Sequence, residues 1–502
     1  MKKSVGILCG LAVAIAAITT GGAWYTGKQL PAELERSVAS GNEELKKAVA
    51  GTGGSMVIEL VSLDQHFFTS TAHYRIKAKD VWLGKGESLN FDLGVTDRIE
   101  HGPFPWSRVK ALNLAPVMAT SNSQLDKDDF TESWFAAAGG QSPVTSQVSL
   151  GYDGSLSSDI RFAPSKFSED DGSALDFSGM RLLLRGDRDG NSLRIDGKAE
   201  RLALNLVGGE QPPVKILLNG FKVVGDLKGT GHDRVYVGSL DMALAESQVT
   251  LGDKQDVLVL KGLEQNNRYD AQDQDTLSGR LEYKVADITY AGRAVGGGQM
   301  VLSMKSLDIP AMQALIAWYQ ARMPEVQRAA QQDETMHAFD MSPEEQAKVQ
   351  GDLQQMLAAK PQLALENLSF KTANGESHFN LAIDLASPSS FDLPPDQLGR
   401  QVITRLQGKL TVSKPMIGDL ATLQALLDGQ SDAQAIAQQS SQAGEMVGMM
   451  ALQSGMATVE GENVVTSLSY ADGMVDFNGR KMTVEEFAML LSAHVAALSP
   501  QG

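Results

Sequence analysis

From Met56 to about Met304 the chain alternates apolar and polar residues with a period of two. Met56, Ile58 and Leu60 share a face, as do Tyr74, Ile76 and Ala78, and later Val148, Leu150 and Tyr152. Successive side chains of a strand point to opposite sides, so this alternation predicts half-buried antiparallel strands. Leu182 and Leu184 run into Asp187-Arg188-Asp189-Gly190-Asn191, and Leu193 and Ile195 resume the pattern, which reads as a hairpin with Asp-Gly turn chemistry. Strands recur every ~8–12 residues, as in a large antiparallel sheet or barrel made of consecutive hairpins. A helical interlude near Asp128 to Ala138 places Phe130 and Trp134 one turn apart.

The period then changes. Met312, Leu315, Ile316, Tyr319 and Met323 fall on one helical face. Ser342-Pro343-Glu344-Glu345 predicts a helix start with a capping box, and Thr483 with Glu486 predicts another. Between them lie strands at Leu363–Phe370, Phe379–Leu385, Leu406–Val412 and Val464–Tyr470, a helix opened by Pro415, and a Gln/Ala/Ser-rich helix from about Asp432 to Leu452. The expected fold is α+β: a large, predominantly antiparallel sheet body with inserted helices and a single N-terminal transmembrane helix.

That last element rests on Ser4–Gly27, twenty-four residues without a charge, preceded by Lys2 and Lys3. About 20 helical residues cross the ~30 Å hydrocarbon core, and cytoplasmic flanks favour Lys and Arg. Val5, Leu8, Leu11, Ile15 and Ile18 supply the apolar surface, while Trp24 and Tyr25 stand where an interfacial aromatic belt would lie. A cleaved signal peptide is the competing reading, with Gly21 and Ala23 as small residues at cleavage spacing. The run is longer than a usual ~7–15-residue h-region, so an uncleaved anchor in the inner membrane, with the bulk of the chain beyond it in the periplasm, is expected. The domain plan becomes residues 1–28 as anchor, 29–54 as stalk helix and Gly-rich linker, 55–305 as a β-rich antiparallel domain, and 306–502 as a mixed α+β domain.

Charge and cysteine content narrow the partners. The whole chain carries −17, and the part after Lys28 has 61 acidic residues. An acidic surface repels phosphate backbones, which argues against nucleic acid. Cys9 is the only cysteine, so a disulfide scaffold and thiolate metal sites are excluded.

Candidate chemistry is sparse. The seven histidines form no HExxH or HxH pair, and neither the 187–191 nor the 270–275 acidic turn has EF-hand spacing. No GxSxG, Walker A or strand-following GxGxxG occurs, so no catalytic residue, metal ligand or cofactor is assigned. Two contact surfaces stand out. His101-Gly102-Pro103-Phe104-Pro105-Trp106 is a stiff loop that either presents its aromatics to a partner or, as aromatics beside turns usually do, fills local core. Met446, Met449 and Met450 lie on one helical face and serve either as ordinary gap-fillers or, if exposed, as an apolar contact surface.

Several passages carry a resemblance: the opening MKKS with a run ending GGAWYTGKQL, Glu100–Pro105, Lys110–Pro116, Gly179–Gly190 and SLSYADGMVDFNGRKMTVEEF at Ser467–Phe487. Together they resemble the YdgA-like family of Gram-negative envelope proteins, whose other branch is YihF. The chain departs at Leu63-Asp64-Gln65-His66-Phe67-Phe68, where the family tends to an aromatic-x-Arg-Gly-x-Phe turn. The resemblance implies an inner-membrane anchor, a periplasmic body and a homodimer, and supplies no catalytic residues. A non-enzymatic binding or scaffolding role is expected, with a lipid, another apolar ligand or an envelope protein as partner. The alternatives are a hydrolase acting on an envelope polymer and a purely structural interaction protein. The lipid version requires a sheet face lined by Leu, Ile, Val and Met and open to solvent.

Overall fold

A computed structural model describes residues 30–49, 53–82, 88–208, 211–252, 255–332 and 341–498. The proposed anchor residues Val5, Leu8, Leu11, Ile15, Ile18, Trp24 and Tyr25 lie outside these. Among the described residues no helix is long and apolar enough to cross a membrane. The chain forms two compact units: described residues up to Leu240 with 316–332, and 241–315 with those from Met341 onward.

The first unit opens with helix α1 (Leu30–Ala48) and strands β1 (Ser55–Gln65), β2 (Thr69–Trp82) and β3 (Ser88–His101). Short helices α2 (Trp106–Lys110) and α3 (Glu132–Ala137) flank β4 (Ala119–Leu125). Then come β5 (Val144–Leu150), β6 (Ser155–Phe162), β7 (Ser165–Ser168), β8 (Ala174–Phe177), β9 (Met180–Asp187), β10 (Ser192–Gly208) and β11 (Gln211–Gly229). Pairing is antiparallel throughout, in the order β1-β2-β3-β4-β5-β6-β9-β10-β11, with the β7–β8 hairpin joined to β10. The expected hairpin is present: Asp187 accepts from the Asp189 and Asn191 backbone N–H groups and from the Ser192 hydroxyl, and Gly190 takes φ +72°. That left-handed value is open to glycine at no steric cost.

Alternation fixes which face is buried. On β3, Leu89, Phe91, Leu93, Val95 and Ile99 turn inward and Asn90, Asp92 and Arg98 outward. Helix α1 adds Leu30, Leu34 and Leu45 to this core, with Val38 and Val49 packed at its margin. The helix expected over 29–54 is therefore laid against the sheet, with its apolar side meeting strand side chains. The Asn42 side chain secures it: Nδ2 donates to the Ile58 carbonyl at 2.9 Å and Oδ1 accepts the Ile58 N–H at 2.7 Å.

Strand β12 (Tyr236–Leu251) leads from the first unit into the second. There follow β13 (Asp256–Ala271), β14 (Thr276–Tyr290), β15 (Arg293–Asp308), α4 (Ile309–Gln332), α5 (Pro343–Ala358), β16 (Gln362–Lys371) and β17 (Glu376–Leu385). The chain continues through α6 (Pro395–Val402), β18 (Ile403–Ser413), α7 (Lys414–Leu427), α8 (Ala433–Ser454), β19 (Thr458–Glu460), β20 (Asn463–Ala471), β21 (Met474–Phe477), β22 (Arg480–Thr483) and α9 (Val484–Leu498). The second ladder is again antiparallel: β13-β14-β15-β16-β17-β18-β20-β21-β22, with β19 also on β20. Both capping boxes form, at Ser342/Glu345 and Thr483/Glu486.

One inward position of β3 breaks the apolar pattern. Asp97 is buried on the core face of β3, where the Ser121 hydroxyl donates to it at 2.7 Å. Burial lifts its carboxyl to about 6, against the opposing effect of hydrogen bonds from Ser121, Ser123 and the Asn122 backbone. A carboxyl whose folded pKa is raised stabilises the fold below its unfolded pKa of ~3.9, and that contribution is lost as pH rises through 6. The difference amounts to roughly 3 kcal/mol. Asp97→Asn should therefore gain stability relative to the wild type between pH 4 and pH 7, read as the difference between their urea-unfolding free energies at each pH; a constant difference across that range would refute the assignment.

Candidate functional site

The second unit carries three in-register apolar rows across its sheet. Met304 on β15 faces Leu363, then Ile383, Leu406 and Tyr470 on successive strands. Leu302 lines up with Leu365, Leu381 and Gly408, and Met300 with Leu368, Phe379 and Leu410. Period two, with one extra residue bulged out of β16 between Leu365 and Leu368, puts all of these on one side. A covered sheet would bury them, yet Leu363, Leu368 and Leu410 are exposed and the other side chains of these rows are only half-buried. Burial becomes complete at one margin, where α9 brings Val484, Phe487 and Leu490 over Val475, Phe477 and Met482. The opposite side of the sheet is polar, with Arg280 bridging Glu366 and Glu282.

In the first unit the same alternation continues onto β9–β11. Leu182 and Leu184 pack against the core, and Leu193, Ile195, Val223 and Leu227 extend their face while half-buried.

The 101–106 loop forms one end of the first unit. His101 is fixed on both ring nitrogens: Nε2 lies 3.0 Å from the Ser70 hydroxyl and Nδ1 3.2 Å from the Phe67 carbonyl. The Gly102 N–H donates to the Met118 carbonyl, and the Val117 N–H donates to that of Pro103. Buried Glu100 accepts the Ser107 N–H at 2.7 Å, and Arg108 donates to Ser149, Asn113 and the Ala115 carbonyl. This well-tied frame turns its aromatics outward. Phe104 is 58% and Trp106 60% exposed, so they do not fill local core, correcting the commoner expectation. Phe67 and Leu112 are each 86% exposed, and Phe68 and Leu114 join them at the same end. Leu112 holds φ +58°, a strained value for a branched-chain residue. The loop residues were singled out from sequence; Phe67-Phe68 and Leu112/Leu114 were not. Their signal was a pair of large apolar residues in a turn between two alternating strands.

On α8, Ile436, Ser440, Gly444 and Gly448 form the buried seam toward α7. The seam is close: a Cβ on Gly444 would lie 2.8 Å from the Lys414 carbonyl oxygen. Met446, Met449 and Met450 therefore point elsewhere and are exposed, which overturns the gap-filler reading.

The second unit also has an open groove of about 1090 Å³ beside Gly296–Gly298, bordered by Glu264, Glu282, Lys284, Lys371 and Asp419. Among its carboxylates, Glu264, Glu282, Glu376 and Asp419 have neighbours in reach. Glu282 accepts from Gln299 and Arg280, and Glu264 lies 3.8 Å from Lys284. Burial pushes the Asp419 carboxyl up, but hydrogen bonds from Thr372 and Asn374 outweigh it and hold the group below the usual carboxylate range. Among the described residues no group of three or more His, Cys, Asp or Glu side chains is arranged to hold a metal ion.

The frame beneath the aromatic end is sensitive to one atom. A Cβ on Gly102 would stand 1.9 Å from the Val117 carbonyl oxygen. Gly102→Ala should destabilise the protein by about 1–3 kcal/mol in urea unfolding, since backbone must move to admit the methyl; an unchanged midpoint would show that the loop is not held this way.

Comparison with known proteins gives relatives over nearly the whole length. The chain is 28% identical to Protein YdgA of Escherichia coli (strain K12), covering 97% of this chain and 96% of that one. It is 25% identical to the uncharacterized protein YihF of the same organism, covering 95% and 97%. An uncharacterized protein of Haemophilus influenzae is 26% identical over 48% of this chain and 64% of its own. No solved structure matches. The family model described as "Bacterial protein of unknown function (DUF945)" matches residues 1–485, and the chain belongs to that family.

Proposed function

We propose that this protein is anchored in the inner membrane by Ser4–Gly27 and uses its periplasmic body to hold lipid, or another apolar ligand, on a sheet surface. The observation that carries this reading is the set of apolar rows on β15–β18, left half-buried or exposed where a sandwich would seal them. An apolar face kept partly wet is unfavourable unless something covers it, and acyl chains do so without directional bonds. The uncharged run and its Lys2-Lys3 flank support the anchor, and the acidic balance of the remainder favours an apolar rather than a phosphate-directed grip. A hydrolase is less well supported, because Glu264, Glu282 and Asp419 at the groove are paired with neighbours. The exposed methionines of α8 are the surface best suited to a second copy or an envelope partner.

Native mass spectrometry of the full-length protein extracted in detergent tests this. Lipid-mass adducts should accompany the wild type. Leu368→Asp with Leu410→Asp, both at exposed positions, should lower adduct occupancy about tenfold, since a buried charge against an acyl chain costs well over ~1.4 kcal/mol. Far-UV circular dichroism checks that both proteins are folded. A clean wild-type monomer without adduct would overturn the binding reading.

A further inference from the structure

We propose that the aromatic end of the first unit is itself a membrane contact, seated in the headgroup–acyl boundary of the bilayer that receives Ser4–Gly27. This rests on the anchored reading above and adds a second point of attachment. Three observations meet here. The surface has interfacial chemistry: Phe67, Phe68, Phe104, Trp106, Leu112 and Leu114 are all exposed, and Lys110 Nζ lies 5.5 Å above the Trp106 ring. Aromatic bodies with a cationic rim suit the boundary between acyl chains and water. Arg108 is occupied within the frame, so the outward cation is Lys110.

The surface is also rigid. Both His101 nitrogens, the Gly102 N–H and the buried Glu100 carboxylate tie the loop to the sheet, so the aromatics are held out and cannot fold back.

Its position follows from chain geometry. Helix α1 meets β1 at Asn42 and Ile58, and only six residues separate its end at Ala48 from the strand's start at Ser55, so the two run antiparallel. Twelve helical residues, ~18 Å, lead from Asn42 back to Leu30. Seven strand residues, ~23 Å, lead from Ile58 to Gln65 at the edge of the Phe67-Phe68 turn. Both arrive at nearly the same level. Only Lys28 and Gln29 separate Leu30 from the end of the uncharged run, a reach of at most ~10 Å. A bilayer holding that run therefore lies against the aromatic end.

The test uses the full chain with Cys9→Ser and one new cysteine, carrying an environment-sensitive fluorophore, in phosphatidylcholine vesicles. At Leu114→Cys the emission should shift to the blue. Lipids spin-labelled high on the acyl chain should quench it at least about threefold more strongly than at Lys198→Cys, on the exposed polar side of β10. Equal, water-like emission at both sites, in protein that floats with the vesicles, would overturn the seat and leave the anchor standing. A blue shift without lipid quenching would mean that protein covers the site, and would also overturn it. Failure to float would remove the anchored reading and the seat with it.

Discussion

A strand has two sides, and in an uninterrupted antiparallel ladder each keeps its identity from strand to strand. The rest of this structure depends on that constraint. Because Met304, Leu363, Ile383, Leu406 and Tyr470 stay in register, their apolar side is continuous, and a one-residue bulge on β16 between Leu365 and Leu368 is absorbed without turning it over. What differs along the chain is the cover. Helix α1 and the Trp134 and Phe135 side chains of α3 seal the core of the first unit from β1 to β6, and α9 seals the last hairpin of the second, while β9–β11 and β15–β18 carry the same pattern with half-buried side chains.

Much of this was legible in the sequence. Alternation located the strands, Asp187 to Asn191 located a hairpin turn, and Ser342/Glu345 and Thr483/Glu486 located helix starts, because each is a local interaction written in a few neighbouring residues. Burial was not legible in the same way. Alternation says that Leu365 and Arg280 face opposite sides, but not whether another layer lies over Leu365. The 101–106 loop shows the same gap. Its stiffness could be read from Gly102, Pro103 and Pro105, whereas the outward direction of Phe104 and Trp106 depends on His101 reaching Ser70 and on Glu100 meeting Ser107, contacts set by the fold. The helix expected over 29–54 likewise carried no sign of what its apolar side would meet.

Asp97 is the exception among the inward residues of β3. A carboxyl on an inward position, held by Ser121 and raised to about 6 by burial, makes the core most favourable when that group is neutral. Burial disfavours the phenolate of nearby Tyr74, and the charged form of Asp97 raises that phenol's pKa further. The polar groups of this core therefore act on one another electrostatically as well as through hydrogen bonds.

The Asn42 amide has a bearing on how copies behave when crowded. Strand β1 pairs on one side with β2, and its outer rung at Ile58 is already taken by a side chain of the same molecule. Before a second copy could extend the ladder there, it would have to break both bonds and lift the first helix away. Lateral growth from this border is thus discouraged by an intramolecular cap, and molecules brought close together in one plane can remain separate particles.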